Sequence, residues 1–509
     1  MLAYQIKTQD NKVTIRDSGG QGIQSNDPSE ILNYLLGAPE GFNIVWNIDL
    51  FVAPILKLLG TERIRELFEV GKTYLEPYSI IYNQGKSLCV RVGGQKAIYY
   101  YIEQYYKDEP EPDLNGLITK TKYMLDELSK LGIYPKKLTS PVAMLEELFD
   151  RLNLPNYEDI PDEVNQWAWE CAGKSWTEAH QLGWFPKVFD YDQNSSFPSI
   201  VAELFDTRYG TWEKDSKYQP EALYGFMDGD IEVIKPISPF VYVNSKGHQV
   251  SPKDKWPTKF LKQEYDHSQK YQNAKLTFTD GWWWFPKKRY QPLKYTMERL
   301  FGERQKIHPK VIQGILKRAM VGIWGRFLQT FRGKGGSVSF APSFNPVWGS
   351  CGDTIARLKV AEFIYDNNLE ADLVHVATDG LIATRDAGIP QSKKMGEWRL
   401  DSSGEALVVG SGMLFYADKK PLQITYPEAM AMIKADPLAR TWNTTGKRMM
   451  TLGDALVFDL DIVGTEKDIF PGFSLQIDHD RFYPKLPRNG QELLDNTYQS
   501  EPLSVEVLA

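Results

Sequence analysis

Asp192-Gln-Asn-Ser195-Ser-Phe197-Pro198-Ser199-Ile200 follows the largely apolar stretch Val188 to Tyr191. An apolar strand that ends on a carboxylate sets that group at the edge of a sheet, and Pro198 then forces the chain to change direction. There the carboxylate of Asp192, helped by the carbonyl of Gln193, can hold Mg²⁺. Backbone N–H groups of the turn that follows, which contains Ser195 and Ser196, can face an anion, and the combination suits a metal-bound triphosphate. The plainer reading is an Asp and a Ser capping a helix over Ile200 to Phe205. Taken alone the run favours that plainer reading, so the rest of the chain decides.

A second carboxylate stands in Leu373-Val-His-Val-Ala-Thr378-Asp379-Gly380-Leu-Ile-Ala-Thr384, where two apolar strands flank an Asp-Gly step of the kind that makes a tight β-hairpin. Asp379 is expected at its tip. Asp-Gly is ordinary turn chemistry, yet two such Asp residues at strand ends weigh differently. In-line phosphoryl transfer with two Mg²⁺ ions needs carboxylates from separate elements that converge on one point. The third element is a helix from Pro309 to Phe327, with Ile312, Ile315, Leu316, Ala319, Met320, Ile323 and Phe327 at core spacing. Lys310, Lys317 and Trp324 recur every seven residues on another stripe. That stripe offers two cations and a stacking plane to a nucleotide, or is simply the exposed face of an amphipathic helix.

A chain of 509 residues exceeds one ordinary domain and predicts about two to four lobes. Hydrophobic content of 42% with 13% aromatic residues excludes a disordered chain. No apolar run reaches the roughly 18 residues of a membrane span, so a soluble protein with no membrane partner is expected. The opening residues carry no basic-then-apolar pattern, so no secretory signal is expected. Cys89, Cys171 and Cys351 lie too far apart for a disulfide framework or a zinc site, which points to reduced cytoplasm, the host's if the source is viral. The net charge of −7 argues against a nucleic-acid partner, but the average misleads. From Gly281 to Gly335 there are 13 basic residues against Glu298 and Glu303, a local charge of +11. Such a segment is either a phosphate-binding surface or a solvated basic face.

Strands are expected at Lys12 to Ile15 and Ser87 to Val92, and helices at Ser29 to Leu36, Glu62 to Val70, Gly116 to Leu131 and Val142 to Leu152. They describe an α/β lobe closed by a linker near Pro155 to Pro161. A second lobe starts near Trp167. Short strands and turns fill Tyr209 to Tyr290, helical patterns run from Leu293 to Phe327, and a polar, glycine-rich loop spans Arg332 to Ser337.

In this order the three elements resemble motifs A, B and C of family B DNA polymerases. Asp192 to Ile200 matches D-x-x-S-x-Y-P-S-I at five of six defined positions, with Phe197 in place of Tyr. Lys317-Arg-Ala-Met-Val321-Gly322-Ile-Trp324-Gly325 is similar to K-x-x-x-N-S-x-Y-G, keeping the Lys, an aromatic and the final Gly. His375-Val-Ala377-Thr378-Asp379-Gly380 keeps the Thr and the metal-ligand Asp of Y-x-D-T-D-S. Trp256-Pro-Thr258 to Glu264, the run at Gly281, Thr354 to Arg357, and Gly396-Glu-Trp398-Arg399 extend the likeness from Trp167 to Asp418.

The resemblance implies a multidomain α/β (α+β) fold, a right-hand polymerase behind an RNase H-like exonuclease-type domain. That domain would cover 1–165, the palm 166–292 and 341–417, the fingers 293–340, and the thumb with the tail 418–509. It also implies template-directed addition of deoxynucleotides to a primer 3′-hydroxyl. Asp192 and Asp379, with the carbonyl of Gln193, would hold two Mg²⁺ ions, Mn²⁺ being an alternative. Phe197 would underlie the sugar and exclude a 2′-hydroxyl. Lys317, with Arg304, Lys310, Ser195 and Ser196, would contact the nucleotide, and Trp324 would pack near the nascent base pair. The implied partners are DNA primer-template, deoxynucleoside triphosphates, and a priming protein or processivity factor. Around Gly410 to Tyr416 the family's Lys-x-Tyr primer element lacks its lysine, so primer handling is expected to differ.

The first lobe resembles the family's proofreading domain in organisation. Phe42-Asn43-Ile-Val-Trp46-Asn47 is similar to its second motif, N-x-x-F-D, with Asn47 in place of Asp. No Asp-x-Glu opens the lobe, and Tyr123 to Asp126 fits the third motif only with shortened spacing. A hydrolytic two-metal site needs those carboxylates, so a scaffold without proofreading is expected, with Asp17 or Asp49 as the residues to recruit otherwise. Ala172-Gly173-Lys174-Ser175 ends like a phosphate loop, but Ala168 stands at the first glycine position. The same region resembles the linker of protein-primed replicases, and the compact size suggests a virus, plasmid or mobile element. Only the short stretch Arg326 to Asn345 follows motif B, which predicts modest strand displacement. Two alternatives stay open: a template-independent or self-priming nucleotidyltransferase, and a catalytically weak nucleic-acid-binding protein.

Overall fold

The structure, a computed structural model, describes residues 1–9, 12–83, 85–106, 109–245, 247, 249–332, 337–418, 425–435, 441–443, 446–455, 463, 465–469, 472–474, 481–485, 487 and 490–504. Strand β1 (Leu2–Gln9) turns back as antiparallel β2 (Lys12–Asp17) and β3 (Gly22–Ser25). Helix α1 (Pro28–Leu36) follows because Asp27 caps the N–H of Ser29, Pro28 suits a first turn, and Ile31, Leu32, Leu35 and Leu36 share one buried face. It returns the chain for β4 (Asn43–Val45), parallel to β1. Helices α2 (Ile48–Leu59) and α3 (Thr61–Val70) lead into β5 (Lys72–Leu75), β6 (Tyr78–Asn83), β7 (Ser87–Val92) and β8 (Gln95–Tyr101). Strand β8 lies parallel to β4, so the sheet runs β3-β2-β1-β4-β8-β7-β6-β5. Three antiparallel strands with β4 and β8 parallel beside them form the expected RNase H-like arrangement, extended by antiparallel β7, β6 and β5, and α4 (Leu114–Lys130) packs on β1.

The expected helix over Val142 to Leu152 is two helices, α5 (Pro141–Met144) and α6 (Glu146–Asp150). The break falls at Leu145, whose backbone leaves the helical region at φ −97° and ψ 3°, and Met144 and Leu145 are both buried there. Helix α7 (Asp162–Cys171) then leads into β9 (Thr177–Ala179) and the long β10 (Gln181–Gln193), followed by α8 (Ser196–Glu203). Next come β11 (Gly210–Lys214), β12 (Tyr224–Val233), the small hairpin β13 (Tyr242–Val243) and β14 (Gln249–Val250), β15 (Lys255–Leu261), helix α9 (Lys262–Tyr271) and β16 (Ala274–Pro286). Four of these make a sheet in the order β11-β16-β12-β15, with Trp283 and Trp284 fully buried.

Helices α10 (Lys294–Lys306) and α11 (Lys310–Arg326) pack together, and both meet α8. Strands β17 (Thr330–Arg332) and β18 (Val338–Phe340) pair as a hairpin across part of the expected glycine-rich loop, whose residues 333–336 lie outside the described residues. Helix α12 (Pro346–Asp366) crosses the core, capped by Asn345, and precedes β19 (Leu373–Ala377), β20 (Gly380–Ala383), β21 (Trp398–Gly410) and β22 (Met413–Tyr416). The central sheet reads β22-β21-β10-β20-β19-β9, and a strand from far along the chain, Thr497–Gln499, also pairs with β10. No helix among the described residues is long and apolar enough to cross a membrane.

Candidate active site

Strand register brings the two carboxylates together. Asp192 stands opposite Gly380 of β20 on one side and Arg399 of β21 on the other. Asp379 immediately precedes Gly380, so the hairpin tip hangs beside the end of β10. The turn is shifted by one residue from the Asp-Gly step: Thr378 takes the left-handed φ of 52°, and Gly380 already pairs with Ala377. The Thr378 N–H donates to the Trp176 carbonyl at 2.9 Å, which pins the tip.

Burial and then the Asp192 charge push the Asp379 carboxyl up to about 6, while Lys317 opposes the rise. Burial also raises Asp192; Arg399 opposes this, and Asp401 and Asp190 add to it. A divalent cation shared by the two carboxylates would relieve their repulsion and replace lost hydration. Hard carboxylate oxygens suit Mg²⁺ or Mn²⁺, so the donor set fits. Among the described residues no three His, Cys, Asp or Glu side chains come together as a metal-holding group, so a centre here rests on this pair and on carbonyl or phosphate oxygens.

The turn after Asp192 is held from below. The Gln193 side chain donates to the Gly396 carbonyl at 2.7 Å and accepts from Ser196 Oγ at 2.7 Å. Asn194 donates to the Ser392 carbonyl at 2.7 Å, and the Gly396 N–H returns to the Asn194 carbonyl at 2.7 Å. Gly396 has φ of 80° and presses on Ser199, where a β-carbon would meet Ser199 Cβ at 2.8 Å, so only glycine fits. Ser195 enters α8 in a left-handed conformation and its hydroxyl caps nothing. Capping therefore does not account for this serine; Arg304 approaches its Oγ at 3.5 Å instead.

Above the turn, α10 and α11 form the wall of a cleft of about 620 Å³. Phe301, Arg304 and Gln305 face it from α10, and Gln313, Lys317 and Val321 recur one turn apart on α11. Asp192, Gln193, Ser195, Ser196, Phe197, Arg304, Lys317 and Asp379 thus share one cleft. Lys310 and Trp324 lie outside its lining. Lys310 is exposed at the start of α11, whereas Trp324 supports the cleft from behind. Its ring packs on Phe197 with centroids 4.6 Å apart, and Gly352 of α12 receives its far edge.

Arg399, Lys393 and Gln313 also line the cleft and were not singled out from sequence. Arg399 lies in a segment the motif comparison had reached, but only cross-strand register sets it against Asp192, at 2.9 Å. Elsewhere the other motifs turn structural. The Gly173 N–H donates to Asp353 at 2.7 Å and the Ser175 N–H to Gln249 at 2.8 Å, so that loop is a clip between elements. Asn47 caps α2 through the N–H groups of Asp49 and Leu50 and donates to Glu103 at 2.9 Å. Asp17 accepts from Gly19, Gln21 and Tyr34, Asp49 accepts from Tyr82 and Leu452, and Tyr123 and Asp126 face solvent.

Sheet, cleft and walls together define a right-hand polymerase fold behind an RNase H-like domain. The particular likeness is to Phi29 DNA polymerase. Its complex with primer-template DNA and incoming nucleotide aligns at a TM-score of 0.59 and 13% identity, covering 93% of this chain and 99% of that one. Its complex with single-stranded DNA aligns at 0.60 and 12%, covering 93% and 100%. The chain therefore has a family B, Phi29-like DNA polymerase fold. No family model matches it, and no curated protein matches its sequence.

Proposed function

We propose that this chain is a DNA-directed DNA polymerase that extends a primer 3′-hydroxyl with deoxynucleotides. The carrying observation is the convergence of Asp192 and Asp379, from separate strands, at the floor of a cleft walled by Arg304 and Lys317. Mg²⁺ held there would lower the pKa of the primer hydroxyl and neutralise the leaving pyrophosphate. Lys317 and Arg304 offset triphosphate charge, and Phe197, backed by Trp324, forms a rigid surface against which the sugar rests and a 2′-hydroxyl clashes. The Phi29 neighbours were solved with primer-template and single-stranded DNA, which supports DNA as this chain's partner.

We assign the palm to 166–292 and 341–417, the fingers to 293–340 and the thumb and tail to 418–509, of which Thr497–Gln499 pairs back onto the palm sheet, with the basic segment after Gly281 along the phosphate backbone. We read the N-terminal domain as a scaffold without proofreading, because Asn47 caps α2, Asp17 holds a turn, and Asp49 accepts from the Tyr82 hydroxyl and the Leu452 N–H. The test is extension of a labelled primer on a DNA template with Mg²⁺ and deoxynucleotides. The native chain should extend it and Asp379→Ala should not; extension by both, or by neither, overturns the proposal.

A further inference from the structure

Arg399 reaches the cleft from the position on β21 directly opposite Asp192. One terminal nitrogen of its guanidinium lies 2.9 Å from Asp192 Oδ2 and 2.9 Å from Asp401 Oδ1. Asp401 is two residues further along the same strand, at the irregularity where β21 slips by one residue against β10, and from there it reaches the same guanidinium. A single nitrogen is thus divided between a candidate metal ligand and a carboxylate beside it. The guanidinium Nε, meanwhile, is buried and makes no hydrogen bond, so this pairing leaves part of the donor fork unused.

Exposure decides what kind of pair this is. Both side chains of the Arg399–Asp192 pair are 38% exposed. A pair that open is weakly held and exchanges with other cations, whereas a fully buried one would lock the carboxylate permanently. The oxygen that Arg399 occupies belongs to the group a divalent ion needs. Asp401 offers the displaced guanidinium a place to stay.

We propose that Arg399 is a competing cation for Asp192, tethered by Asp401, and that it sets the divalent-metal concentration at which the centre fills. As metal is bound, Arg399 passes wholly to Asp401; as metal leaves, it returns to Asp192. No bond is made or broken, so Arg399 is a positioning residue. The inference rests on the metal-centre reading of Asp192 and Asp379.

The test is Mn²⁺ binding to the full chain, with free Mn²⁺ read by electron paramagnetic resonance, without nucleotide or DNA. Arg399→Gln should bind Mn²⁺ roughly five- to tenfold tighter, since it removes both the competitor and its repulsion of the ion. Arg399→Lys, which keeps the charge, should stay near native. Asp401→Asn should weaken binding, and that weakening should shrink in the Arg399→Gln background, because the tether has nothing left to hold. Should Arg399→Gln fail to fold, Arg399→Met, which keeps an unbranched side chain and removes the charge, carries the same two comparisons: tighter binding alone, and a smaller weakening by Asp401→Asn in its background. Unchanged or weaker binding in Arg399→Gln, with binding still lost in Asp192→Asn, overturns the inference alone. Absence of Asp192-dependent Mn²⁺ binding in both native and Arg399→Gln chains overturns the metal-centre reading as well.

Discussion

Gly352 sits where α12 receives the edge of Trp324, and a β-carbon there would lie 2.4 Å from the indole Nε1 and 2.7 Å from Cδ1. Neither neighbour can yield cheaply, since the indole is rigid and its other side already rests on Phe197 at 4.6 Å between centroids. Gly352→Ala must therefore push α12 outward or drive the indole and Phe197 into the cleft. Overpacking of this kind costs about 1–3 kcal/mol. Alanine is otherwise favoured over glycine inside a helix by about 1 kcal/mol, so a variant less stable than native isolates the clash. Urea unfolding should show a lower midpoint. Primer extension should show a raised nucleotide KM with kcat less affected, because Phe197 borders the cleft. Trp324→Leu in the Gly352→Ala background makes room and should return part of the loss, so the two changes are not additive. A Gly352→Ala chain as stable as native with an unchanged KM, or strict additivity in the pair, would refute the coupling from α12 through Trp324 to the cleft.

Lys317→Ala removes a cation facing the same cleft as Asp379, and a lost charged contact to the triphosphate should lower kcat/KM by about 10- to 100-fold; an unchanged value would place Lys317 outside nucleotide binding. His375 is buried, accepts from the Gly412 N–H at 3.2 Å, and has its pKa lowered to about 4 by burial. Its folded value lies below the ordinary 6.5, so the stability it contributes is full above pH 6.5 and is lost as pH falls towards 4. Between pH 7 and pH 5 the loss should be about 2 kcal/mol in urea unfolding, and His375→Gln should flatten that part of the slope, leaving the share of buried His180, shifted the same way. The hairpin after α11 has strands of only three residues each, so displacement synthesis on a nicked circle should stop early; long unassisted products would contradict this.

How far the sequence was legible depended on whether a signal was local. Asp192 and Asp379, which share the cleft, stood out because an apolar strand ending on a carboxylate is visible in nine or ten residues, and the α11 stripe because helical spacing repeats. The one-residue shift at Thr378 was missed because Asp-Gly favours a turn without saying which residue takes the left-handed conformation. Arg399 escaped because its meaning lies in register across β10 and β21, fixed by bulges near Val188 and Tyr191 that no periodicity announces. Trp324 shared a stripe with Lys317 but turned inward, since Gly352 on a later helix leaves a slot that only the folded core reveals. The helix expected over Val142 to Leu152 breaks at Leu145, where no proline or glycine in the sequence marks a stop.

One strand carries both Asp192 and a late arrival. The far end of β10 is completed by Thr497–Gln499, and Ser500 donates to the carbonyl of His180 across 320 residues of sequence. Nearby, Arg481 reaches buried Glu178 across 303 residues. Contacts so distant form slowly, because a long loop must close before they are rewarded. On the ribosome, residues 181–410 can pair β10 with β20 and β21 well before Thr497–Gln499 emerges to cover the remaining edge at its far end. During that interval the open edge of β10 is a template for any strand that meets it, and the nascent chain is most exposed to mispairing in the strand that bears Asp192.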